Sequence, residues 1–485
     1  MNLTVVDLIA LLPLLVMTAG VVAVMLLAAF CRRVTPVVLT TLLVLVLAFI
    51  ALPVAATAGA RPVTPLLMMD HYALFYMGLV FAATFAIVIL CHDYFGGAAG
   101  RHQTVGILLL LAALGSAVLV ASSHFVTFLI GLELLSVSLF ALIAYPRGRE
   151  RALEAGIKYL MLAGISSAFL LFGMALIYAR LGTMQFTPIG TLAGAAGGGI
   201  WLDTGVALIL VGIGFKLALV PFHLWTPDVY EGAPAPIAAF VATVSKGAMM
   251  ALLLRYFVVA GGYRSASVML ALTVIAVVSI LVGNLLALLQ DNVKRILAYS
   301  SIAHLGYVMV AFLATGALAI EAVSYYLVAY VVTMLGAFGV ITLLSAGGAG
   351  RDRDALADYR GLFWQRPGMA AAFTIMLLSL AGIPLTMGFI GKFYVVAAGI
   401  GAALWLPVVV LVVGSVIGLY YYLRIIATMC APPADLLPAQ APAAATPASF
   451  AGTLTLTGLA LVLVWLGVYP TSLIRLLQAT VAFLI

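Results

Sequence analysis

The chain has 485 residues, of which 66% are hydrophobic and 8% charged, against roughly 25% charged in an ordinary soluble domain. Its 22 Lys and Arg and 15 Asp and Glu side chains are too few to cover a soluble globule of this size, so a soluble monomer is excluded. The three cysteines are scattered and no pair has metal-ligand spacing, so we expect no metal site.

Apolar stretches of about 20 residues, long enough to cross a hydrocarbon core of about 30 Å, recur along the whole chain. Fourteen are found, near residues 5–30, 37–57, 71–91, 104–121, 125–145, 155–179, 204–229, 234–258, 267–289, 296–315, 321–346, 369–402, 405–429 and 453–474. Little of the chain is left for a soluble domain. The sequence therefore predicts an all-α, polytopic integral membrane protein with about fourteen transmembrane helices.

The cations in the predicted loops are distributed unequally between the two membrane faces. Loops after odd-numbered spans hold twelve: Arg32, Arg33, Arg101, Arg147, Arg149, Arg151, Lys294, Arg295, Arg351, Arg353, Arg360 and Arg366. Loops after even-numbered spans hold four: Arg61, Arg180, Arg264 and Arg475. Because cytoplasmic loops are richer in Lys and Arg, the first face is predicted to be cytoplasmic and both termini to lie outside. The net charge of +7 then needs no nucleic-acid partner.

Six cations remain inside the predicted spans, and they divide by residue type. Arg255 and Arg424 lie near span ends, where a long side chain can extend to the membrane surface. The other four are Lys158, Lys216, Lys246 and Lys392. Arginine stays charged at any accessible pH, whereas a buried lysine can lose and regain a proton. The lysines are therefore candidates for proton transfer.

Other titratable groups accompany these lysines. Glu133 lies near the middle of the fifth span, where an unpaired carboxylate is costly, so we expect it to face a cavity or a neighbouring cation. Its alternative role is an ion pair that only joins two helices. Lys158 follows Glu154 by four residues and should share its helix face. His304, in the tenth span, is equally consistent with a relay and with an ordinary core histidine.

Two spans contain a proline that should interrupt the helix. Pro221 follows Lys216 by five residues and precedes His223 by two, and Pro384 precedes Lys392 in the twelfth span. Proline removes a helical hydrogen bond and crowds the preceding turn. Broken backbone at this depth is tolerated only beside protein or a water-filled cavity, so both breaks are candidate proton-binding sites.

A weak internal repeat connects these features. Residues 154–160 read EAGIKYL and residues 321–327 read EAVSYYL, an offset of 167 residues or five spans. An odd number of spans inverts the second copy, so we predict two inverted five-helix repeats with broken helices 7 and 12. This offset pairs Lys158 with Tyr325 and Glu133 with Ser300. The predicted domains are 1–103 (helices 1–3), 104–260 (first repeat, helices 4–8), 261–430 (second repeat, helices 9–13) and 431–485 (a linker rich in Pro and Ala, then helix 14).

The motifs at these breaks make the chain resemble the antiporter-like membrane subunits of bacterial NADH:quinone oxidoreductase (respiratory complex I). The matching residues are Gly214-Phe215-Lys216, Pro221 to Tyr230, Gly232 to Pro236, Lys294-Arg295, Tyr299-Ser300-Ser301, His304 to Tyr307 and Gly388 to Tyr394. Lys392, where one paralogous subunit has a carboxylate, and the lack of a long lateral helix after Ile485 separate the chain from two paralogues.

The resemblance implies a proton-translocating subunit that couples electron transfer from NADH to quinone, performed in other subunits, to proton pumping. It implies that Glu133 and Lys216 form a coupling pair, that Lys246 is the central relay and that Lys392 exchanges protons with the outer face. Possible further relays are Lys158, His223 and His304. No cofactor is expected in this chain, since NADH, FMN, iron–sulfur clusters and quinone belong to other subunits. The implied partners are other membrane subunits of the complex and the lipid bilayer, and the implied location is the bacterial inner membrane.

Two other functions remain open on the sequence. One is a subunit of a multisubunit cation/proton antiporter, with the same lysines but no redox partner. The other is a membrane scaffold whose buried charges are inert braces.

Overall fold

The computed structural model describes residues 3–31, 33–96, 102–146, 148–195, 199–346, 352–433 and 449–482. Its elements are α1 (Val5–Ala10), α2 (Leu12–Phe30), α3 (Val34–Ala56), β1 (Arg61–Val63), β2 (Leu67–Met69), α4 (His71–Phe95), α5 (Gln103–Ala121), α6 (Phe125–Ile143), α7 (Glu150–Leu181), α8 (Phe186–Ala195), α9 (Ile200–Leu217), α10 (Trp225–Gly232), α11 (Ala235–Phe240), α12 (Lys246–Val259), α13 (Ala266–Leu288), α14 (Val293–Ala314), α15 (Gly316–Ser345), α16 (Leu362–Gln365), α17 (Pro367–Ala381), α18 (Met387–Gly401), α19 (Trp405–Cys430), α20 (Phe450–Val468) and α21 (Thr471–Val481).

The helices confirm the predicted membrane architecture. Within the described residues, thirteen helices are long and apolar enough to cross a membrane, and the shorter apolar pair α17 and α18 supplies the twelfth span. Two features were not predicted. An antiparallel hairpin of β1 and β2 lies before α4, so the fold is not purely helical, and α21 adds a short helix after the last span.

Both predicted helix breaks are present. Helix α9 ends at Leu217, and Ala218 adopts the left-handed conformation with φ of 60° before Pro221. Helix α17 ends at Ala381, and Gly382 adopts the same conformation with φ of 86° before Pro384. A left-handed residue ends an α-helix by redirecting the backbone. Spans 7 and 12 therefore each consist of two half-helices, α9 with α10 and α17 with α18.

Close helix contacts repeat along the chain and confirm the internal symmetry. A Cβ at Gly115 would lie 2.6 Å from the backbone nitrogen of Leu135, where α5 crosses α6. A Cβ at Gly283 would lie 2.6 Å from the backbone nitrogen of Ala303, where α13 crosses α14. The second contact lies 168 residues after the first. In these helices the offset of 167 was thus wrong by one residue, and Ser301 rather than Ser300 matches Glu133.

The deepest helices of the fold include those that carry Lys246 and His304. The span made of α11, a π-helical turn (Val241–Ser245) and α12 is buried along its full length, and so is α15, while α14 is almost so. A helix that is apolar on all sides belongs in the interior of a helix bundle. Helices α2, α3, α7 and α13 are mostly exposed and form the lateral surface.

Some predictions fall outside the described residues. They concern Arg32, Arg101, Arg147 and Arg351 among the loop cations and residues 434–448 of the predicted linker. The proposed domain boundaries also stay predictions.

Replacing Gly115 with valine should disrupt the α5–α6 crossing. The new side chain would overlap the α6 backbone, and overpacking of this kind costs about 1–3 kcal/mol or more. We expect less of the chain in membranes and a lower thermal midpoint, with Gly283→Val behaving alike. Gly164→Val is the matched control, because a Cβ there meets no atom within 4 Å. Equal recovery of the Gly115 and Gly164 variants would contradict the assigned crossing.

Candidate functional site

Lys216 lies at the broken end of α9 and is almost completely buried. Its Nζ donates to Ser136 Oγ of α6 at 3.0 Å and to Tyr159 Oη of α7 at 2.8 Å. Both acceptors are neutral hydroxyl groups. The ammonium therefore has hydrogen-bond partners but no countercharge in contact.

The expected pair of Glu133 and Lys216 is not a direct ion pair in this structure. Glu133 accepts a hydrogen bond of 2.5 Å from Ser167 Oγ of α7, and within the described residues no salt bridge joins it to Lys216. The two groups still interact electrostatically. Because Ser136 follows Glu133 by one helical turn, the carboxylate and the ammonium flank the same region of α6.

Lys246 begins α12 directly after the π-helical turn and has no exposed surface. Its Nζ donates to Ser301 Oγ of α14 at 2.7 Å and lies 5.4 Å from the ring centroid of Tyr230. Ser301 Oγ is in turn 2.6 Å from Tyr330 Oη of α15. A π-helical turn inside an α-helix frequently marks a functional site, and here it immediately precedes the amine.

Lys392 lies in the second half of the other broken span. Its Nζ donates to the carbonyl oxygens of Leu380 and Ala381, at 2.9 Å each, and lies 5.3 Å from the ring centroid of Tyr307. These carbonyls belong to the end of α17, where helical acceptors are left unsatisfied. The helix break therefore positions this lysine, as was expected of a site at an interrupted helix.

His304 connects the second repeat's polar groups. Its Nδ1 is 2.7 Å from Tyr326 Oη and its Nε2 is 3.1 Å from Tyr422 Oη. Its ring centroid lies 5.3 Å from that of Tyr307 and 5.9 Å from that of Tyr330. His304 thus stands between the partners of Lys246 and those of Lys392, although this placement alone does not test a relay role.

The three lysines share one property and lie along one row of polar groups. Within the described residues, each is held by neutral hydroxyls, carbonyls or aromatic rings, and none forms a salt bridge. The row begins with two hydrogen-bonded groups, one of Ser136, Lys216 and Tyr159 and one of Lys246, Ser301 and Tyr330. It continues through His304, Tyr307 and Lys392, which are connected to Tyr330 and to one another by ring contacts of 5.3 to 5.9 Å. The hydroxyl groups and aromatic rings that contact the lysine amines were not predicted from the sequence, although Ser301 occupies the repeat position of Glu133.

The two remaining predicted residues lie elsewhere. His223 is buried in the break of span 7, and neither its Nδ1 nor Thr226 Oγ1 nearby has a partner within the described residues. The Lys158 side chain is 43% exposed and binds Glu154 Oε1 at 2.6 Å and Asp228 Oδ2 at 2.8 Å. The predicted contact between Lys158 and Glu154 is confirmed.

Salt bridges concentrate instead in a charged group at the cation-rich face, here called the rim cluster. It comprises Tyr94, Arg149, Arg151, Glu154, Lys158, Asp228, Glu231, Lys294, Arg295 and Asp352. Asp352 is buried and accepts from Lys294 Nζ at 2.8 Å, from Arg149 at 3.2 Å and from the Tyr94 hydroxyl. Burial raises the pKa of Asp352, but these donors outweigh it and hold the pKa below its ordinary value.

The rim cluster binds helix α10, the second half of span 7. Lys294 donates to the carbonyl oxygens of Glu231 at 2.8 Å and Ala233 at 2.6 Å, which end α10. Arg295 binds Asp228 Oδ1 at 3.0 Å and Glu231 Oε2 at 2.9 Å. Helix α10 is thus fixed at its charged end.

Helix α10 also contacts both lysine sites of the first repeat, through Trp225 at its start and Tyr230 near its charged end. Trp225 Nε1 donates to the carbonyl oxygen of Phe215 at 3.0 Å, next to Lys216. Tyr230 carries the ring beneath Lys246. A displacement of the rim cluster would therefore reach both amines through one short helix.

Arg255 corrects one expectation. It does not extend to the membrane surface, because it is 2% exposed and binds Asp70 through two hydrogen bonds of 2.8 and 2.7 Å. Arg424 does reach a loop, where it donates to the carbonyl oxygen of Gln290 at 3.1 Å and pairs with Asp291.

Comparison with known proteins decides the family. Residues 122–418 match the transmembrane family of NADH:quinone oxidoreductase and Mrp antiporter subunits. A Nitrosospira multiformis protein named NADH-quinone oxidoreductase subunit N is 61% identical over 98% of this chain and 96% of its own length. This chain belongs to the NADH-quinone oxidoreductase subunit N family. It is therefore a multi-pass membrane subunit of a multisubunit respiratory complex.

Solved structures agree with this assignment. The antiporter-like subunit fold is shared with a chain of respiratory complex I from Thermus thermophilus with bound aureothin, at 33% identity and a TM-score of 0.82, over 96% of this chain and all of that chain. A chain of the Mrp complex from Dietzia sp. DQ12-45-1b gives a TM-score of 0.86 at 20% identity, over 99% and 98% of the two chains. The second likeness shows the fold alone.

No group of three or more His, Cys, Asp or Glu side chains in the described ranges could hold a metal ion.

Asp352→Asn should destabilise the protein strongly. Removing the carboxylate leaves Lys294 and Arg149 without their countercharge in a buried site, which costs about 3–5 kcal/mol. We expect a lower thermal midpoint and poorer assembly. Because the pKa of Asp352 is lowered, its contribution is complete above about pH 4 and is lost only as the pH falls further, so acidification from pH 8 to 5 should not mimic the mutation.

Asp291→Asn is the matched control for Asp352→Asn. Its carboxylate is 83% exposed in its pair with Arg424, and an exposed pair contributes about 0–1 kcal/mol. Equal thermal midpoints for the two variants would contradict the role assigned to the rim cluster.

Proposed function

We propose that this chain translocates protons as a membrane subunit of NADH-quinone oxidoreductase. The observation that carries the proposal is the row of three lysines that, within the described residues, are held only by neutral partners. Lys216 and Lys246 are buried, and Lys392 is half-buried. An amine without a countercharge can give up its proton without leaving an unpaired carboxylate behind. A row of hydroxyls and rings between such amines supplies intermediate positions for protons.

The proposed route begins at Lys216. A small movement of α6 or α9 would change the distance from the Glu133 carboxylate to the Lys216 ammonium. At close range in a low dielectric such a change alters the interaction by several kcal/mol, and about 1.4 kcal/mol changes a protonation equilibrium tenfold. The proton would then pass through Tyr159 toward Lys246 and from there to Lys392.

The helix breaks suit this mechanism. Half-helices α10 and α18 can shift without breaking a continuous hydrogen-bond ladder. We propose that Lys158 belongs to the rim cluster that holds α10, rather than to the route itself. His223, in the same break, has a ring nitrogen without a partner within the described residues and is proposed as the entry group, and His304 as the group between Lys246 and Lys392.

The energy for transport would come from partner subunits. We propose that NADH, FMN, iron–sulfur clusters and quinone are bound by those subunits, as the name of the 61% identical relative suggests. The excess of cations on one face supports a cytoplasmic position for that face, with both termini on the periplasmic side of the bacterial inner membrane. Other membrane subunits and lipid would cover the exposed lateral helices.

Two other functions are less well supported. The Mrp likeness favours a cation/proton antiporter only through a shared fold, whereas the relatives at high identity are complex I subunits. An inert scaffold would be expected to pair its buried charges, as Arg255 and Lys294 are paired. The three lysines of the row are not.

Lys246→Met should interrupt the route while keeping the packing. Loss of a positioned proton carrier typically slows proton transfer on the order of 10²-fold or more. We expect NADH-driven acidification of membrane vesicles to fall, while NADH oxidation by an artificial acceptor, which reports assembly, is retained. Arg475→Met, at an exposed position in α21, is the control. Full acidification with Lys246→Met would exclude Lys246 from the route.

A further inference from the structure

A cavity opens at the face opposite the rim cluster. It has a volume of about 210 Å³ and its lining includes Ser123, Gln185, Thr187, Asp70 and Arg255. Ser123, Gln185 and Thr187 belong to segments between predicted spans, and the predicted topology places these segments on the outer side of the membrane. Polar groups line this cavity although it reaches into an apolar bundle, so it can hold water.

The inner end of this cavity is an ion pair. The Asp70 carboxylate receives two hydrogen bonds from the Arg255 guanidinium and one of 2.7 Å from the backbone nitrogen of Ala73, at the start of α4. Arg255 Nε is buried without a partner within the described residues. The guanidinium carbon lies 4.9 Å from the ring centroid of Tyr72, so cation and ring together close the cavity.

Between the ion pair and Lys246 lie two tyrosine side chains and a small void. Tyr72 Oη donates to the carbonyl oxygen of Ala251, and the Tyr72 and Tyr76 ring centroids are 4.9 Å apart. A small void of about 10 Å³ lies between Tyr76 and the π-helical turn, and Gly247 lines it. Gly247 directly follows Lys246. The ion pair therefore stands between an open cavity and the helix of the central lysine.

We propose that Asp70 and Arg255 form a proton-inert plug that seals the first repeat from the outer aqueous phase. The proposal rests on the proposed function, since a seal is needed only if Lys246 carries protons. Without it, protons could return from the outer side to Lys246 through this cavity. The plug forces them to leave through the second repeat, at Lys392.

The chemistry of the pair explains why it does not relay protons. Arginine does not release its proton at any accessible pH. Protonation of Asp70 would leave the guanidinium as an uncompensated buried charge, which is strongly unfavourable. A lysine in place of Arg255 would retain the charge but could deprotonate. The plug thus has an arginine, whereas the three sites that are proposed to exchange protons have lysines.

Arg255→Lys tests the plug in the intact complex. After NADH is exhausted, we expect the proton gradient across membrane vesicles to decay roughly tenfold faster than in the wild type, because a titratable amine replaces the inert cation. The control is Arg264→Lys, on the same face but exposed, which should decay as the wild type does. If the proton gradient decays at the same rate in Arg255→Lys as in Arg264→Lys, the proposal is overturned and the ion pair has only a structural role.

Thiol labelling tests the same plug without altering it. A cysteine at position 187 lines the cavity, whereas a cysteine at 247 lies beyond the plug, where a Cβ meets only Val331 at 3.9 Å. In otherwise unchanged complex, a membrane-impermeant thiol reagent should modify Thr187→Cys in right-side-out vesicles but not Gly247→Cys. Rapid modification of Gly247→Cys from that side would overturn the proposal.

The two results separate the plug from the proposed function. NADH-driven acidification by Lys246→Met tests transport, whereas gradient decay and labelling test the seal without turnover. Labelling of Thr187→Cys in inside-out vesicles instead would show that the cavity faces the cytoplasm, which would also overturn an outer seal.

Discussion

The structure depends on three lysine amines, two buried and one half-buried, that have no countercharge in contact within the part of the chain that the structure describes. Taking an ammonium group out of water is costly unless a carboxylate or several hydrogen bonds compensate. Lys216, Lys246 and Lys392 receive hydroxyl, carbonyl and ring contacts but no carboxylate. The helix breaks and the π-helical turn supply those contacts. The fold thus compensates these amines with neutral groups.

Paired and unpaired charges occupy different parts of the molecule. The rim cluster pairs its cations with carboxylates and fixes the end of α10. The plug pairs Arg255 with Asp70 at the opposite end of the first repeat. Between them the amines remain unpaired. Charges that must stay constant are locked by a partner of opposite sign, while charges that must change are surrounded by neutral groups.

The sequence was sufficient for the architecture because hydrophobic length and proline position determine it. Fourteen crossings, both breaks and the repeat followed from apolar runs, Pro221, Pro384 and one heptapeptide. The hairpin of β1 and β2 was not predicted because three-residue strands leave no periodic signal. The one-residue error in the repeat offset arose because a short match in α7 does not define the register of α5 and α6.

The site was predicted only in part, for physical reasons. Lysines at membrane depth stand out by residue type, so the main candidates were found. Their neutral partners, such as Tyr159 and Tyr330, are common in any membrane protein and carry no distinctive pattern. Arg255 was misplaced because its position near a span end does not reveal a partner such as Asp70, which lies far away in the chain.

Direct observation of lysine charge during turnover would test the central claim most clearly. Infrared difference spectra of the complex with ¹⁵N-labelled lysine, recorded with and without NADH, report gain and loss of ammonium protons. The lack of a countercharge at Lys246 predicts an isotope-sensitive ammonium signal in the wild type that is lost when position 246 is methionine. Identical difference spectra from the two proteins would show that Lys246 keeps one charge state throughout, and would contradict proton exchange at this amine.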